Sequence, residues 1–535
     1  MDSTRRHILD LSRRSLLRGA TAAAGLAAIQ PAVARRVWAN PVFARYPFSL
    51  GVASGDPLPD GVVIWTRLAP DPLSGGGMPH QAVDVAWEVA EDPQFRRPVS
   101  RGVALARPEL GHAVHVEVGG LRPAATYHYR FRAGRETSPV GRTRTAPAAD
   151  AAPARLRFVN AGCQHYEHGH FTAWRHVAAE PELDFVFHYG DYIYEYRARG
   201  NQPGAVVPMR QHQGEEIHTL DDYRNRYALY KLDPDLAAAH AAHPFLVSFD
   251  DHEVDNNWAG AISEEDGSAR FPVPPEIFAL RKQIAFQAWY ENMPLRRAAL
   301  PRGPAIAAHR RLRYGRLADI HVLDTRQYRS DQPCGDVTGP ACAEVARPDA
   351  QMLGAQQEAW LLGNLADRNA VWQVLAQQVM VMPRDLGDDL RGPRISMDKW
   401  DAVPAARVRL LRGIAERGVR NAVVLTGDVH NAWAGTVHAD AAEPRGPGLM
   451  TEFCATSISS GGDGSEQVAA TPTVLRRNPH IAFFNNRRGY CVHEATPERM
   501  EVTFRVLPFV SRPDAPLENR ARFVVEAGRA EVTRA

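Results

Sequence analysis

Two kinds of apolar pattern divide the chain, and one replaces the other near residue 150. Between residues 45 and 148, apolar and polar positions alternate with period two, and Pro and Gly residues separate the alternating stretches. Such alternation predicts half-buried strands joined by turns. The stretch GLRPAATYHYRF also resembles the tyrosine corner of small β-sandwiches, with Tyr127 at the corner. Residues 45–148 are therefore predicted to form an N-terminal β-sandwich domain of the fibronectin or immunoglobulin type, with strands in VDVAWEVAED, AVHVEVGG and TYHYRFRAG.

After the Pro- and Ala-rich segment 145–154, which is typical of a linker, continuous apolar runs alternate with stretches of helical period. An apolar spacing near 3.6 predicts helices in AQQEAWLLGNLADRN and PAARVRLLRGIAERG. Strands that alternate with helices predict an α/β domain, here residues 155–535, whose sheet is parallel or mixed and covered by helices. Strands are predicted in LRFVNAGCQ, DFVFHYGDYIY, HPFLVSFDDHE, ADIHVLDTRQ, VWQVLAQQVMV and NAVVLTGDVHN, with a second sheet from GLMTEFCATSISS and MEVTFRVL.

The first 34 residues have the features of an export signal. An Arg-rich start contains Ser12-Arg13-Arg14, an Ala- and Gly-rich run follows, and the segment ends Ala32-Val33-Ala34. The run is too short and too rich in Ala for a stable membrane span. We therefore predict a twin-arginine signal peptide at residues 1–34, recognition by the twin-arginine export machinery, and a periplasmic or secreted protein. A disordered basic tail is the alternative.

Length and charge narrow the function classes. At 535 residues the chain exceeds what a single core usually holds, so two domains are expected. The 63 basic and 61 acidic residues leave a net charge of +2, and no polybasic block is present. This balance indicates neither a nucleic-acid-binding surface nor attachment to a membrane surface.

Five cysteines are an odd number for an exported chain. Cys334 and Cys342 bracket a short loop rich in Gly and Pro that can close as a disulfide. Cys454 and Cys491 are a second, weaker candidate pair. Cys163 is then left over, and an unpaired thiol in an oxidising compartment requires another reason.

Residues that can bind metal follow several of the predicted strands. Because the carboxyl ends of strands in an open α/β sheet gather at one edge, these side chains are expected to lie close together. Each feature alone has an ordinary structural explanation: a turn or helix cap for Gly-Asp, a packed core residue for the thiol. The ordered set favours a metal site. It comprises Cys163, Asp191 with Tyr194, the Asp250–Glu253 stretch, and Asp428 with His430.

The phenol narrows the choice of metal. Tyrosine titrates near 10 when free and binds well as tyrosinate only beside a highly charged ion, of which ferric iron is the natural candidate. A thiolate ligand likewise needs a metal to remove its proton. A carboxylate such as Asp191 can bridge to a second ion, and two such ions activate water and polarise a phosphoryl oxygen.

The motifs GDYIY, DDHE and GDVH, in that order, resemble those of the metallophosphoesterases, and the Tyr after Gly-Asp is similar to the purple acid phosphatase variant. The closer resemblance is to the PhoD family of exported alkaline phosphatases and phosphodiesterases, and it covers nearly the whole mature chain. It rests on FSLGVASGDPLPDGVVIWTRLAP, AGCQHYEHGHF, HYGDYIYEY, FDDHEVDNNW, DTRQYR, LTGDVHN and SISSGG.

That resemblance implies a four-layer α/β/β/α catalytic domain after the β-sandwich, and a site that holds Fe³⁺ together with Ca²⁺. It implies that Cys163, Tyr194 and His430 bind the ferric ion and that Asp191 bridges the two metals. Asp251 and Asp428 stand where the wider superfamily has nitrogen or amide ligands, and hard oxygen there favours calcium. His252 resembles the His that contacts phosphate and helps protonate the leaving group.

Three assignments remain open. Gln378, or Gln377, is a candidate amide ligand of the second metal, and a buried Gln bonded to backbone is the alternative. Asn257, with Asn256, is a candidate ligand or a supporting group. Arg326 is a candidate phosphate clamp, and a structural ion pair is the alternative.

The predicted function is hydrolysis of phosphate monoesters, and of diesters as well, by an exported, monomeric alkaline phosphatase in which metal-activated hydroxide attacks phosphorus. A phosphodiesterase of the phospholipase D type is the alternative within this chemistry. The polar segment 195–225, which is the predicted cover of the pocket, favours soluble monoesters over lipids. An iron oxidoreductase and a surface binding protein with a decayed catalytic half are the rivals from other classes.

Overall fold

The computed structural model of the protein describes residues 37–198, 206–264, 272–440, 443 and 445–535. The predicted signal peptide at residues 1–34 lies outside these described residues and stays a prediction. None of the helices within the described ranges combines the length and the apolar character that crossing a membrane requires.

Each stretch for which the sequence predicts a strand contains one. Before the linker the strands are β1 Val37–Trp38, β2 Val52–Leu58, β3 Gly61–Arg67, β4 Ala82–Ala90, β5 Pro98–Ala106, β6 Ala113–Val118, β7 Thr126–Ala133, β8 Glu136–Thr137 and β9 Gly141–Arg144. After the linker they are β10 Leu156–Ala161, β11 Phe185–His188, β12 Pro244–Val247, β13 Arg310–Tyr314, β14 Ala318–Val322, β15 Trp372–Ala376, β16 Ala422–Thr426, β17 Ala432–His438, β18 Gly448–Cys454, β19 Gly464–Ser465, β20 Ile481–Ala495, β21 Arg499–Leu507, β22 Glu518–Glu526 and β23 Thr533–Arg534.

Within the described residues, the α-helices lie in the larger, C-terminal part of the chain. They are α1 Thr172–Ala178, α2 Leu220–Lys231, α3 Pro234–Ala242, α4 Pro275–Asn292, α5 Gly354–Leu365, α6 Pro404–Glu416 and α7 Thr471–Arg477. The two predicted from apolar spacing, α5 and α6, are confirmed. Pro404 opens α6 at the position where its missing N–H removes no helical hydrogen bond.

Two sheets face each other in the N-terminal part. In the first, β4 pairs antiparallel with β5 and β7. In the second, β3 lies between β2 and β6. One hydrophobic core fills the space between the sheets, with Val62, Ile64 and Val116 on one side and Val85, Val89, Tyr129 and Phe131 on the other. The hydroxyl of Tyr127 accepts a hydrogen bond of 2.8 Å from the backbone N–H of Arg122, as the predicted tyrosine corner requires.

The second of these sheets continues into the larger part. Strand β2 pairs in parallel with β12, with Ser54 opposite Pro244 and Gly55 opposite Phe245. The linker therefore separates the two patterns along the chain, whereas hydrogen bonds join the two parts in space.

The larger part contains two sheets that share one long strand. In its first sheet, β10, β11 and β12 run parallel, and β20, β21 and β22 extend the β10 side antiparallel. In its second sheet, β14, β15, β16 and β18 run parallel, and β13 and β17 add antiparallel strands. The first residues of β20 pair with β17 and its last residues with β10, so β20 belongs to both sheets.

Three hydrophobic cores follow from the alternation of side chains along these strands. Phe158 of β10 and Val374 of β15 belong to the core between the two sheets. Their neighbours point the other way: Val159 packs with Trp174 of α1 and Trp289 of α4, and Leu375 packs with Leu361 of α5 and Leu410 of α6. The mixed α/β class is thus confirmed, and the carboxyl ends of the strands from both sheets lie at one edge.

Two of the five cysteines form a disulfide and three are free. Cys334 and Cys342 form a disulfide, as predicted. The weaker candidate pair, Cys454 and Cys491, does not form a disulfide: both thiols are free and buried. Cys454 packs in the core beneath α5 and α6, whereas Cys491 packs between the two sheets. Cys163 is also free and buried.

Replacing Tyr127 by Phe tests the tyrosine corner. The change leaves the half-buried N–H of Arg122 without its acceptor, so we expect a loss of about 1 kcal/mol in the free energy of unfolding, measured by urea denaturation. Tyr46→Phe is the control, because that exposed hydroxyl donates to the carbonyl of Thr137, where water can replace it. Equal losses in the two variants would contradict a stabilising corner.

Candidate metal centre

The site lies where strands of the two large sheets end. Cys163 follows β10, Asp191 follows β11 and Asp251 follows β12, three neighbouring parallel strands of the first sheet. Asp428 and His430 follow β16 of the second sheet. The sheet edge that the sequence predicts as a meeting point does bring these side chains together.

Four donor atoms of different chemistry form what we name the first cluster: the side chains of Cys163, Asp191, Tyr194 and His430. Asp191 Oδ2 lies 3.2 Å from Cys163 Sγ and 2.8 Å from the Tyr194 hydroxyl. That hydroxyl lies 3.2 Å from His430 Nε2. Donors that share one ion at about 2.1 Å stand about 3 Å apart, so these separations fit a common metal.

The pKa values in the first cluster show which of its side chains a bound cation would have to deprotonate. Burial raises the pKa of Cys163 and of Tyr194 well above their usual values, and the Asp191 carboxylate raises both further. Burial also raises the pKa of Asp191 itself. In contrast, burial lowers the pKa of His430 to about 3, which leaves the imidazole neutral, the form that binds metals. The thiol and the phenol therefore need a strong cation before they ionise.

Three carboxylates form the second cluster: Asp250, Asp251 and Asp428, whose oxygens lie within 4.8 Å of one another. Asp191 and Asp251 also approach each other within that distance, in a group that includes His252. Asp191 thus faces both clusters, as the predicted bridging role requires.

Unpartnered oxygens test whether these residues fit a metal. Asp191 Oδ1, Asp250 Oδ2 and Asp251 Oδ1 are buried and accept no hydrogen bond from any described residue. A buried carboxylate oxygen without a partner costs free energy unless a cation or a proton meets it. The donor set fits metal ions: thiol, phenol and imidazole in the first cluster, and hard oxygen in the second.

His252 is oriented by a carboxylate that the motifs do not single out. Its Nδ1 lies 2.7 Å from Glu195 Oε2, and Glu195 is fully buried. Burial by itself lowers the pKa of His252, but the carboxylates of Glu195, Asp251 and Asp191 outweigh burial and raise that pKa well above its usual value. His252 is therefore held as a cation beside the first cluster.

Glu253 ties the two site turns together. Its carboxylate accepts the backbone N–H groups of Asp191, Tyr192 and Asp250, at 3.2, 2.6 and 2.8 Å. Glu253 lies within the DDHE motif, yet its place in the motif did not reveal this role. Ser460 is a second residue that sequence reasoning missed, and its Oγ lies 2.7 Å from the Tyr194 hydroxyl.

Arg326 is not placed as a phosphate clamp. Its fully buried guanidinium donates to Asp250 at 2.6 Å and to both oxygens of Asp398 at 2.7 and 3.0 Å. It also lies 3.6 Å from Asp251 and from Asp428. The ion-pair alternative is correct for Arg326, because carboxylates occupy its donors and it does not line the cleft described below.

Gln378 is not placed as a metal ligand either. Its Oε1 accepts from the N–H and the hydroxyl of Thr325, and its Nε2 donates to Ser248 and to the carbonyl of Leu323. Both ends of the amide are therefore occupied. Gln377 Oε1 likewise accepts from the indole of Trp400.

Asn257 supports the second cluster. Its backbone N–H donates to Asp251 Oδ2 at 2.9 Å, while its side chain bonds Asp336. The backbone N–H of Asn256 donates to Glu195 at 2.9 Å. The supporting role left open for these two residues is therefore the one that their contacts favour.

A cleft of about 550 Å³ opens onto both clusters. Its polar lining includes Asp191, Asp251, His252, Asn256, Asn257, Arg384, Lys399, Asp428 and His430. An apolar wall, formed by Leu386, Val429, Trp433, Val468, Val474 and Phe484, completes it. The cleft can thus hold an anionic group at the metal residues and an apolar group beside it.

Comparison with known families decides the relationship. The family model for the PhoD-like phosphatase matches residues 158–504, more than half of the chain, and the model for the N-terminal domain of PhoD-like phosphatases matches residues 32–147. The chain belongs to the PhoD-like phosphatase family. The predicted family and the predicted enzyme class, a phosphoric ester hydrolase, are thereby confirmed.

Individual PhoD-like relatives agree. Alkaline phosphatase D of Bacillus subtilis (strain 168) is 48% identical over 518 residues, which are 96% of this chain and 87% of that protein. A solved structure of PhoD superposes with a TM-score of 0.89 at 48% identity, over 92% of this chain and 93% of that one. GAP50, the anchor in the inner membrane complex of Plasmodium, reaches a TM-score of 0.36 at 12% identity, too low to support an argument.

Glu195→Gln tests the control of His252. The change removes the negative charge beside Nδ1, so we expect the pKa of His252 in the metal-free protein to fall and the cation to be lost at lower pH. The measurement is an NMR titration of histidine-labelled protein. Glu264→Gln is the control, because that carboxylate bonds Asn256 instead. An unchanged His252 titration in Glu195→Gln would show that Glu195 does not act on it.

Proposed function

We propose that this PhoD-like phosphatase hydrolyses phosphate esters in the 550 Å³ cleft with the help of a ferric ion and calcium. The observation that carries the proposal is the first cluster, where a thiol, a phenol, a carboxylate and an imidazole with donor atoms about 3 Å apart meet in a buried site.

Ferric iron is the metal that this cluster favours. Cys163, Asp191, Tyr194 and His430 would hold it. The raised pKa of Tyr194 means that only a strongly charged ion displaces the phenolic proton near neutral pH. Zinc and manganese gain less from a phenolate, and neither explains why Tyr194 rather than a carboxylate occupies this position.

Calcium is the metal that the second cluster favours. Asp251 and Asp428 would bind it together with the bridging Asp191, since hard carboxylate oxygens are the ligands calcium prefers. The oxygens of Asp191 and Asp251 that accept no hydrogen bond from a described residue support this assignment. When bound, the two ions lower the pKa of water and neutralise charge on the phosphoryl oxygens.

The protein's own residues contribute proton transfer and orientation. His252, held as a cation by Glu195, would donate a proton to the oxygen of the departing alcohol. Asn257 fixes Asp251 through a backbone N–H, and Ser460 fixes the hydroxyl of Tyr194. The apolar wall keeps water from the leaving group.

The apolar wall also favours a second candidate, a phosphodiesterase that accepts an apolar ester group on the phosphate, as a phospholipase D does. The polar segment 195–225, the predicted cover, contributes no described residue to the cleft, and residues 199–205 lie outside the described ranges. The polar character of that segment therefore does not exclude a lipid substrate. The ratio of turnover on bis(para-nitrophenyl) phosphate to that on para-nitrophenyl phosphate separates the two candidates.

Export, assembly and domain architecture complete the proposal. The twin arginines at Arg13 and Arg14 support passage through the twin-arginine machinery to the periplasm or medium, and we propose a monomer. Two facing N-terminal sheets support the β-sandwich, and helices packed outside two facing sheets support the four-layer α/β/β/α arrangement.

Tyr194→Phe tests the iron assignment. We expect the purified enzyme to show a visible absorption band from phenolate bound to iron, and the variant to lose that band together with about 100-fold or more of kcat/KM for para-nitrophenyl phosphate. Tyr192→Phe is the matched control, since its hydroxyl bonds His240 and not the first cluster. A colourless enzyme that holds zinc or manganese would refute iron and leave a plainer two-metal phosphatase.

Selective removal of calcium separates hydrolysis from redox chemistry. We expect dialysis against EGTA to abolish ester hydrolysis while the iron band persists, and added calcium to restore turnover, because the second cluster loses its counter-charge. Turnover and calcium content are measured on the same samples. Hydrolysis that survives complete calcium removal would exclude calcium from the site, and redox activity with no ester turnover would favour the iron oxidoreductase.

A further inference from the structure

Arg384 is the cleft residue whose charge has no counterpart. It lines the cleft beside the metal residues, and its side chain is mostly buried, with the residue 8% exposed. Within the described part of the chain, its guanidinium makes no hydrogen bond and lies within 4.0 Å of no carboxylate; the only hydrogen bond of Arg384 there is made by its backbone N–H. The guanidinium does lie over the ring of Trp433 in a cation–π contact. Arg326, by comparison, is saturated by carboxylates.

The carboxylates whose charge acts on Arg384 are all engaged elsewhere. Asp401 accepts the backbone N–H of Arg384 with one oxygen and pairs with Arg407 through the other. Glu452 accepts the N–H groups of Val381 and Met382. Asp428 pairs with Lys399. The fold therefore fixes the main chain at Arg384 and leaves its guanidinium without an anion.

The wall around Arg384 makes such a charge costly. The guanidinium carbon lies 5.1 Å from the centre of the Trp433 ring, and Trp433 packs edge-on against Phe484 at 4.5 Å. Burial lowers the pKa of Arg384, but an arginine keeps its proton in proteins. A buried cation without a partner destabilises a fold, so its presence beside a cleft indicates a ligand that supplies the negative charge.

We propose that Arg384 binds an anionic phosphate oxygen of the substrate, an inference that rests on phosphate-ester hydrolysis in this cleft. The bidentate fork of a guanidinium matches the geometry of phosphate oxygens, and the apolar wall strengthens the contact by excluding water. The oxygen belongs either to the phosphate that is cleaved or to a second phosphate on the leaving group. Arg384 thus takes the phosphate-binding role that the sequence left open for Arg326.

The test uses the metal-loaded enzyme and three variants. Arg384→Gln removes the charge, Arg384→Lys keeps it but loses the bidentate fork, and Arg412→Gln is the control, since Arg412 is exposed on α6 and does not line the cleft. Metal content and the melting temperature are measured for each. If Arg384 is a binding residue, Arg384→Gln melts at or above the wild-type temperature, because it removes an uncompensated buried charge; a structural arginine lowers it.

Binding and kinetics then identify the source of the oxygen. If Arg384 holds the cleaved phosphate, Arg384→Gln raises KM for para-nitrophenyl phosphate and weakens inorganic phosphate binding about 10- to 100-fold, with a smaller change in kcat and partial recovery in Arg384→Lys. If Arg384 holds a second phosphate, Arg384→Gln changes only the affinity for pyrophosphate and the KM for substrates with two phosphates, again by about 10- to 100-fold.

One outcome overturns anion binding by Arg384, and another overturns only phosphate-ester hydrolysis in the cleft. The proposal fails if, by calorimetry, Arg384→Gln binds inorganic phosphate and pyrophosphate as tightly as Arg412→Gln does. Arg384 then has no part in anion binding, even if the enzyme hydrolyses esters normally. Wild-type enzyme that turns over no phosphate ester refutes the proposed function. In that case calorimetry with the same two anions still decides whether Arg384 binds phosphate.

Discussion

Buried negative charge is the constraint on which the cleft depends. Asp191, Asp250 and Asp251 lie together in the interior, and each keeps an oxygen that accepts no hydrogen bond from any described residue. Arg326 and Lys399 neutralise part of the charge and hold the second cluster in place. Unpaired buried carboxylates cost several kcal/mol, on the order of the stability of a whole domain. The surrounding fold must supply that free energy, and bound cations return it.

The backbone shows a second cost at the same place. Cys163, Asp191, Asp428 and His430 all adopt left-handed conformations, with φ of 50, 54, 68 and 58°. Each costs about 1 kcal/mol in a residue that has a side chain. The turns persist because hydrogen bonds fix them: the N–H of Cys163 donates to the carbonyl of Gly190, and Glu253 collects three further N–H groups. A strand that ended in a relaxed turn would point its donor away from the shared centre.

The sequence was sufficient for most of the architecture and for the residues that follow strands. Period-two and period-3.6 patterns located the strands and α5 and α6, and the rule that strand ends gather located Cys163, Asp191 and His430. Prediction from the sequence failed where the role of a polar side chain depends on the partners that it already has in the fold. The sequence does not tell which of Arg326, Gln378 and Arg384 already has hydrogen-bond or ion-pair partners. Only the packing shows that the side chains of Arg326 and Gln378 are occupied. Cys454 and Cys491 failed for a related reason, since the face of a strand assigns each thiol to a different core.

The long strand β20 has a consequence for the order in which the chain can fold. It pairs Cys491 with Asn160, residues more than three hundred positions apart, and it joins the two sheets whose ends carry the donors. A growing chain that has reached His430 thus holds every residue of the first cluster but not the strand that joins the two sheets. Such distant contacts form late and slowly. The metal centre should therefore assemble only after synthesis is almost complete, and a chain truncated before Ile481 should lack it.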